Sequence, residues 1–161
     1  MVEQQSSGVA VRRSILVEAP RDRAFTVFTE GMTSWWPMQS YSIAPGPMAA
    51  AVMEPRAGGR WFERSEDGSE CEWGRVLAWE PPDRVVLVWQ ISPEWAYDPG
   101  LHTEIEVRFT AEDEQRTRVD LEHRKLEAYA ERAEQMRNVL GSDDGWGGLL
   151  GRFAEAATAA G

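Results

Sequence analysis

Between residues 51 and 124 the chain carries six β-rich segments joined by connections too short to hold a helix. The segments run over residues 51–54, 59–64, 70–80, 84–91, 102–110 and 115–124. Their separators are turn chemistry: 55–59 reads PRAGG, 66–68 EDG, 81–83 PPD and 113–114 DE. These residue types supply positive φ, a preset φ or local side-chain hydrogen bonds. Strands joined this tightly must pair antiparallel, because a parallel pair needs a crossover of a dozen or more residues. One connection, 92–100 (SPEWAYDPG), is too long for a tight turn and is expected to form a rim loop.

The flanks add a strand and helices. Val9, Val11, Ile15 and Val17 share one parity, which predicts a half-buried strand over 9–18. Pro20 then opens a helix over 20–29 with Ala24, Phe25 and Phe28 as its apolar stripe. Gly31 is expected to take a left-handed cap, and 32–37 (MTSWWP) to form a second short helical turn ended by Pro37. Residues 39–47 read as loop. After residue 124 the period changes: Leu126, Tyr129, Ala130, Ala133, Met136, Val139 and Leu140 predict a helix over 126–140. A break at 141–144 precedes a final amphipathic helix carrying Trp146, Leu149, Leu150, Phe153 and Ala157. Ser142, Asp143 and Asp144 are its N-cap candidates. The fold class is α+β: a curved antiparallel sheet wrapped around a long C-terminal helix, with two short helices after strand one. Residues 1–8 are expected to be a flexible tail and 9–161 a single domain, as suits 161 residues.

Composition excludes several functions. A net charge of −10 repels phosphate backbones, so nucleic acid is not an expected partner. No apolar run approaches the roughly 20 residues of a membrane span. The opening MVEQQSSG lacks a signal peptide's basic and apolar regions, which points to the cytoplasm. Cys71 is the sole cysteine, and His102 and His123 lie on different predicted strands without ligand spacing, so neither a metal nor a cofactor is expected. Gly58-Gly59 and Gly141-Ser142 fit structural turns rather than phosphate loops. Arg56 and Arg60 are expected to pair with Glu54 and Glu63 across a hairpin.

Eight tryptophans are the feature that composition leaves unexplained. Trp61, Trp73, Trp79 and Trp89 fall on predicted strands, Trp35 and Trp36 follow the first helix, Trp95 lies in the long loop and Trp146 opens the last helix. Such rings either fill a core or wall a concave apolar site. His123 shares parity with Val119 and Leu121, so its imidazole is expected to point inward, as a hydrogen-bonded core group or as a weak candidate for acid–base chemistry.

Several stretches together resemble one family: VEAPRDRAFTVFTE, the pair Trp35-Trp36, EPRAGGRWFE, WGRVLAWEPPDRVVLVW, and VDLEHRKLE leading to GWGGLLGRFAEAA. They are similar to the Bet v 1/START-like (SRPBCC) superfamily, within the group related to the C-terminal domain of the activator of Hsp90 ATPase. The resemblance implies a helix-grip fold with a cavity between helix and sheet. Within that fold the expected lining is Trp35, Trp61, Trp73, Trp89, Phe109, Met136, Trp146, Leu150 and Phe153, with His123 facing it. It implies binding of a small hydrophobic or aromatic molecule. The alternatives are a polyketide cyclase-like enzyme in which His123 works with Glu72 or Tyr41, and a chaperone-related or stress-response interaction module. Only the C-terminal domain of the co-chaperone is matched, without the domain that engages the chaperone, so ATPase stimulation is not expected. The long edge strands leave a homodimer as an alternative.

Overall fold

A computed structural model of the chain describes residues 9–37, 42–44 and 46–159. The expected tail at 1–8 and Tyr41 lie outside the described residues. Seven strands form one antiparallel sheet: β1 (Val11–Val17), β2 (Met48–Met53), β3 (Arg60–Ser65), β4 (Glu70–Glu80), β5 (Arg84–Trp89), β6 (Thr103–Asp113) and β7 (Arg116–Arg124). Their spatial order is β1-β7-β6-β5-β4-β3-β2. Strands two to seven are therefore a meander, as the short turns require, while β1 returns to pair with β7. The chain must cross the whole sheet between β1 and β2. It does so through α1 (Arg21–Thr29) and a 3₁₀ turn at Met32–Ser34, and the sheet curls around these elements and α3 (Trp146–Ala159). This is the helix-grip arrangement. No helix among the described residues is long and apolar enough to cross a membrane.

Alternation sorts the residues of each strand. Trp61, Trp89, Ile105, Val107, Phe109, Val119 and Leu121 are buried on the concave side with Phe25 and Phe28 of α1 and Phe153 of α3. On the convex side Arg124 reaches Glu104 (3.1 Å), Glu106 (2.9 Å) and Glu122 (3.3 Å), and Arg84 reaches Glu106 (2.6 Å). Burial pushes the Glu104 carboxyl up, but hydrogen bonds from His102, Lys125 and Arg124 outweigh it and hold the group at about 2.

The structure corrects several local expectations. β2 begins at Met48, directly after the stretch read as loop and ahead of the expected start at residue 51, and β5 ends at Trp89 rather than residue 91. Ile91 instead bridges Tyr97, folding the 92–100 loop back on itself. Gly31 has φ −95° and is not left-handed. Glycine suits the position because an added Cβ would sit a tight 3.0 Å from the Val27 carbonyl oxygen. The helix expected over 126–140 is broken into a 3₁₀ segment (Leu126–Arg132) and α2 (Ala133–Leu140), with Ala130 at φ 56°, ψ −123°. The cause is tertiary: Tyr129 is turned inward to donate to the Ile91 carbonyl (2.7 Å), a buried bond that a continuous helix would have to forgo. Ser142 donates to the Val139 carbonyl at 2.8 Å, closing α2 instead of capping α3.

One irregularity places the aromatic residues. In β3 and β4 Trp61 pairs with Gly74 and Phe62 with Glu72, which leaves Trp73 as the extra residue of a β-bulge. A bulge re-aims side chains, and here Trp73 joins Trp61 and Trp89 on the concave side. Gly74 lies opposite both Trp61 and Trp89, and a Cβ on it would fall 1.7 Å from the Val88 carbonyl oxygen. Gly74→Ala is therefore expected to destabilise the protein by about 3 kcal/mol or to prevent folding, read by urea unfolding; a change below about 0.5 kcal/mol would show that the bulge tolerates a side chain.

Candidate functional site

The concave side holds a continuous aromatic cluster. Phe28 meets Phe153 edge-on at 5.2 Å, Trp36 meets Trp73 at 4.9 Å, Trp73 meets Trp61 at 5.3 Å, and Trp61 meets Trp89 at 5.8 Å between ring centroids. Trp89 then meets Trp146 at 6.2 Å. Most of these contacts have the inclined or edge-to-face geometry that aromatic pairs prefer, and rings arranged so interdigitate and fill volume.

Three polar anchors are embedded in this cluster. His123 is completely buried on β7. The Thr103 hydroxyl donates to the Trp89 carbonyl (2.8 Å), so its oxygen accepts from His123 Nε2–H at 2.9 Å. His123 Nδ1 accepts from Trp146 Nε1–H at 3.1 Å. Both nitrogens are committed and the tautomer follows from the partners. A second proton on Nδ1 would oppose the Trp146 N–H, and burial pushes the imidazole down to about 3. Tyr129 forms the second anchor: its hydroxyl accepts from Trp89 Nε1 at 3.1 Å while donating to Ile91, and burial raises its pKa.

Glu63 is the third. It does not pair with Arg60, which binds Glu70 and Glu72 on the convex side; the expected Arg56–Glu54 pair does form, at 3.1 Å. Glu63 is wholly buried and accepts from Trp73 Nε1 (2.9 Å), the Ile43 amide (2.8 Å), the Ala44 amide (3.3 Å) and the Ser42 hydroxyl (2.5 Å). Hydrogen bonds from four donors replace the water that a buried carboxylate loses. The same bonds fasten the 42–44 segment to the sheet.

A pocket of about 350 Å³ opens where the cluster meets α2, α3 and the 92–100 loop. Its aromatic walls are Trp36, Trp89, Trp95 and Trp146, with aliphatic surface from residues such as Ile43, Ile91, Leu140 and Leu149. Ser42 and the exposed Asp144 are polar residues of its lining. Trp95 is 46% exposed and has φ 59°, a left-handed backbone that costs an aromatic residue about 1–3 kcal/mol. The turn around it holds that conformation: Trp95 N donates to the Ser92 carbonyl (2.9 Å), and Ser92 N donates to the Ala96 carbonyl (2.8 Å).

Of the residues expected to line a cavity, Trp89 and Trp146 are on the pocket wall. Trp35, Trp61, Trp73, Phe109, Met136, Leu150 and Phe153 are packed behind it in the core, and His123 is sealed beneath Trp89 and Trp146. Glu72, considered as a partner for His123, is ion-paired to Arg60 at 2.5 Å on the convex side. The proposed acid–base pairing is therefore not assembled. Trp36, Ser42, Ile43 and Asp144 were not expected on the wall, because loops and element ends carry no periodicity to orient them. Glu63 was assigned to a surface pair, although its parity with Trp61 was the available signal that it points inward.

Lowering pH should expose the His123 linkage. The unfolded histidine takes up a proton near 6.5 and the folded one only near 3, so the unfolded state binds more protons and stability falls as pH drops below about 6.5. Below pH 6.5 the expected slope approaches about 1.4 kcal/mol per pH unit; Glu104, whose ordinary value is 4.5, adds its loss mainly below pH 4.5. Urea midpoints measured between pH 6.5 and 4.5 should flatten in His123→Phe, and an unchanged slope would remove His123 as the cause. Glu63→Leu should cost on the order of 3 kcal/mol by orphaning buried donors, with altered amide shifts at Ile43 and Ala44; a native-like midpoint would show that the carboxylate is dispensable.

Comparisons with known proteins agree with this fold. The chain is 36% identical to the anthrahydroquino-gamma-pyrone synthase Txn09, solved in complex with SUM, over 91% of this chain and 95% of that one, with a TM-score of 0.64. It is 33% identical to the self-sacrificing resistance protein CalC from Micromonospora echinospora, over 94% and 96% of the two chains, with a TM-score of 0.70. A protein from Nitrosomonas europaea, NE0264, shares the fold at 12% identity over 99% of this chain and 100% of that one, TM-score 0.67. No curated protein matches. Residues 18–158 match the family described as activator of Hsp90 ATPase homolog 1-like protein, and the chain belongs to that family.

Proposed function

We propose that the protein binds a small apolar aromatic molecule in the pocket between Trp36, Trp89, Trp95 and Trp146. The observation that carries this reading is the state of Trp95: a large ring held half-exposed, in a strained backbone, at the mouth of an apolar pocket of about 350 Å³. A ring that served only packing would be buried without that strain, and strain maintained at a cleft is a mark of a binding surface. The pocket volume lies within the range of small-molecule sites. Txn09, at 36% identity, is a synthase named for an aromatic product, and this supports a flat, fused-ring ligand.

The same relative favours a second reading, catalysis in this pocket. His123 is neutral with both nitrogens bonded, so a cyclase-type reaction would draw on Asp144 and on Ser42, whose hydroxyl is bonded to Glu63.

Isothermal titration with 9-anthracenemethanol and with flavone tests the binding reading. Saturable binding of at least one, accompanied by a raised melting temperature, is the expected result. Trp95→Ala should weaken that binding by about ten-fold with little change in unfolding midpoint, since the ring is half exposed. Trp73→Ala should instead lower stability by about 3–5 kcal/mol. Absence of heat and of any thermal shift with both compounds would overturn the proposal.

A further inference from the structure

We propose that the ligand of this pocket is an aromatic molecule carrying a protonated amine, with Asp144 as its counter-charge. The inference rests on the binding reading above and adds the chemical class of the ligand. Asp144, an exposed residue at the pocket rim, is the only ionisable residue lining the pocket among the described residues, and it makes no ion pair or side-chain hydrogen bond there. Glu94, next to Trp95, is paired with Arg132 at 2.8 Å.

The other polar wall group has the same character. The Ser42 hydroxyl proton is directed to Glu63 Oε2, which leaves its oxygen lone pairs as what it can offer a ligand. Trp89 and Trp146 have given their N–H groups to Tyr129 and His123. Among the polar wall groups Ser42 and Asp144 are acceptors and the Trp95 indole N–H is a donor, and the group that complements the two acceptors, one of them anionic, is a cationic donor. Indole rings reinforce that preference, since their π systems attract ammonium groups. The net charge of −10 draws cations in and repels an anionic aromatic.

Asp144 also lies just before α3, where a carboxylate suits the helix dipole. Asp143 shares that position but is not on the pocket wall, which makes it the internal control.

The test is calorimetric titration at pH 7 with three compounds that share one ring system: 9-(aminomethyl)anthracene, 9-anthracenemethanol and 9-anthracenecarboxylate. The amine is expected to bind about ten-fold tighter than the alcohol, and the carboxylate weakest. Added salt should shrink the preference. Asp144→Asn should bring amine and alcohol to within about two-fold while leaving alcohol affinity unchanged, which also shows that the variant is folded. Asp143→Asn should keep the preference. Equal affinities for amine and alcohol in the wild type would overturn this proposal and leave the aromatic pocket standing. Equal effects of the two substitutions would assign the preference to the general field and overturn it as well. Binding of none of the three would overturn both readings.

Discussion

A buried indole brings an N–H group that must find an acceptor, and this requirement organises the interior. Trp35 donates to the Val27 carbonyl (3.0 Å), Trp61 to the Met32 sulfur (3.4 Å), Trp73 to Glu63 (2.9 Å), Trp89 to Tyr129 (3.1 Å) and Trp146 to His123 (3.1 Å). Each pairing joins separate parts of the chain. Trp146 and His123 fasten α3 to β7, Trp89 and Tyr129 fasten β5 to the 3₁₀ segment, and Trp73 and Glu63 fasten the bulged β4 to β3. An unpaired indole N–H in such a place would cost about 1–3 kcal/mol. The acceptors are thus part of the fold rather than spare chemistry.

That division of labour determines what remains for a ligand. Polar groups with the strongest chemistry, His123 and Glu63, are spent inside. The pocket wall receives tryptophans, aliphatic residues, Ser42 and Asp144. In the proposed reading, a site of this composition selects flat aromatic molecules through few polar contacts, Asp144 foremost among them. The chain's family membership sets the fold. The wall itself is built from element ends and a loop, which vary independently of the fold.

Strained and irregular backbone occurs around the site as well as elsewhere in the sheet. Trp95 and Ala130 both have left-handed φ, and both lie in segments that approach the pocket or its supports. The bulge at Trp73 and the close backbone contact at Gly74 lie directly behind its aromatic wall. Local preferences are overridden here because burying Tyr129 and aligning three tryptophans stabilises the fold by more than the few kcal/mol that the distortions cost.

Much of this was legible in the residues. Turn spacing required an antiparallel meander, the 3.6-residue period of Leu149, Leu150, Phe153 and Ala157 marked the gripping helix, and strand parity turned His123 inward. Those features are local and periodic, so they survive in a linear reading. The sites of departure are non-local. Nothing in the order of residues 70–80 announces that Trp73 is unpaired, because a bulge depends on the register of the neighbouring strand. The helical pattern through Ala130 hides a break that comes from Tyr129 reaching β5. Whether tryptophans pack or leave space depends on ring angles and distances, which only folding sets; it closed the centre of the cluster and left the opening at Trp89 and Trp146. The architecture, then, was written in patterns of neighbours along the chain, whereas the pocket arose from contacts between residues far apart in it, whose geometry no sequence spacing encodes.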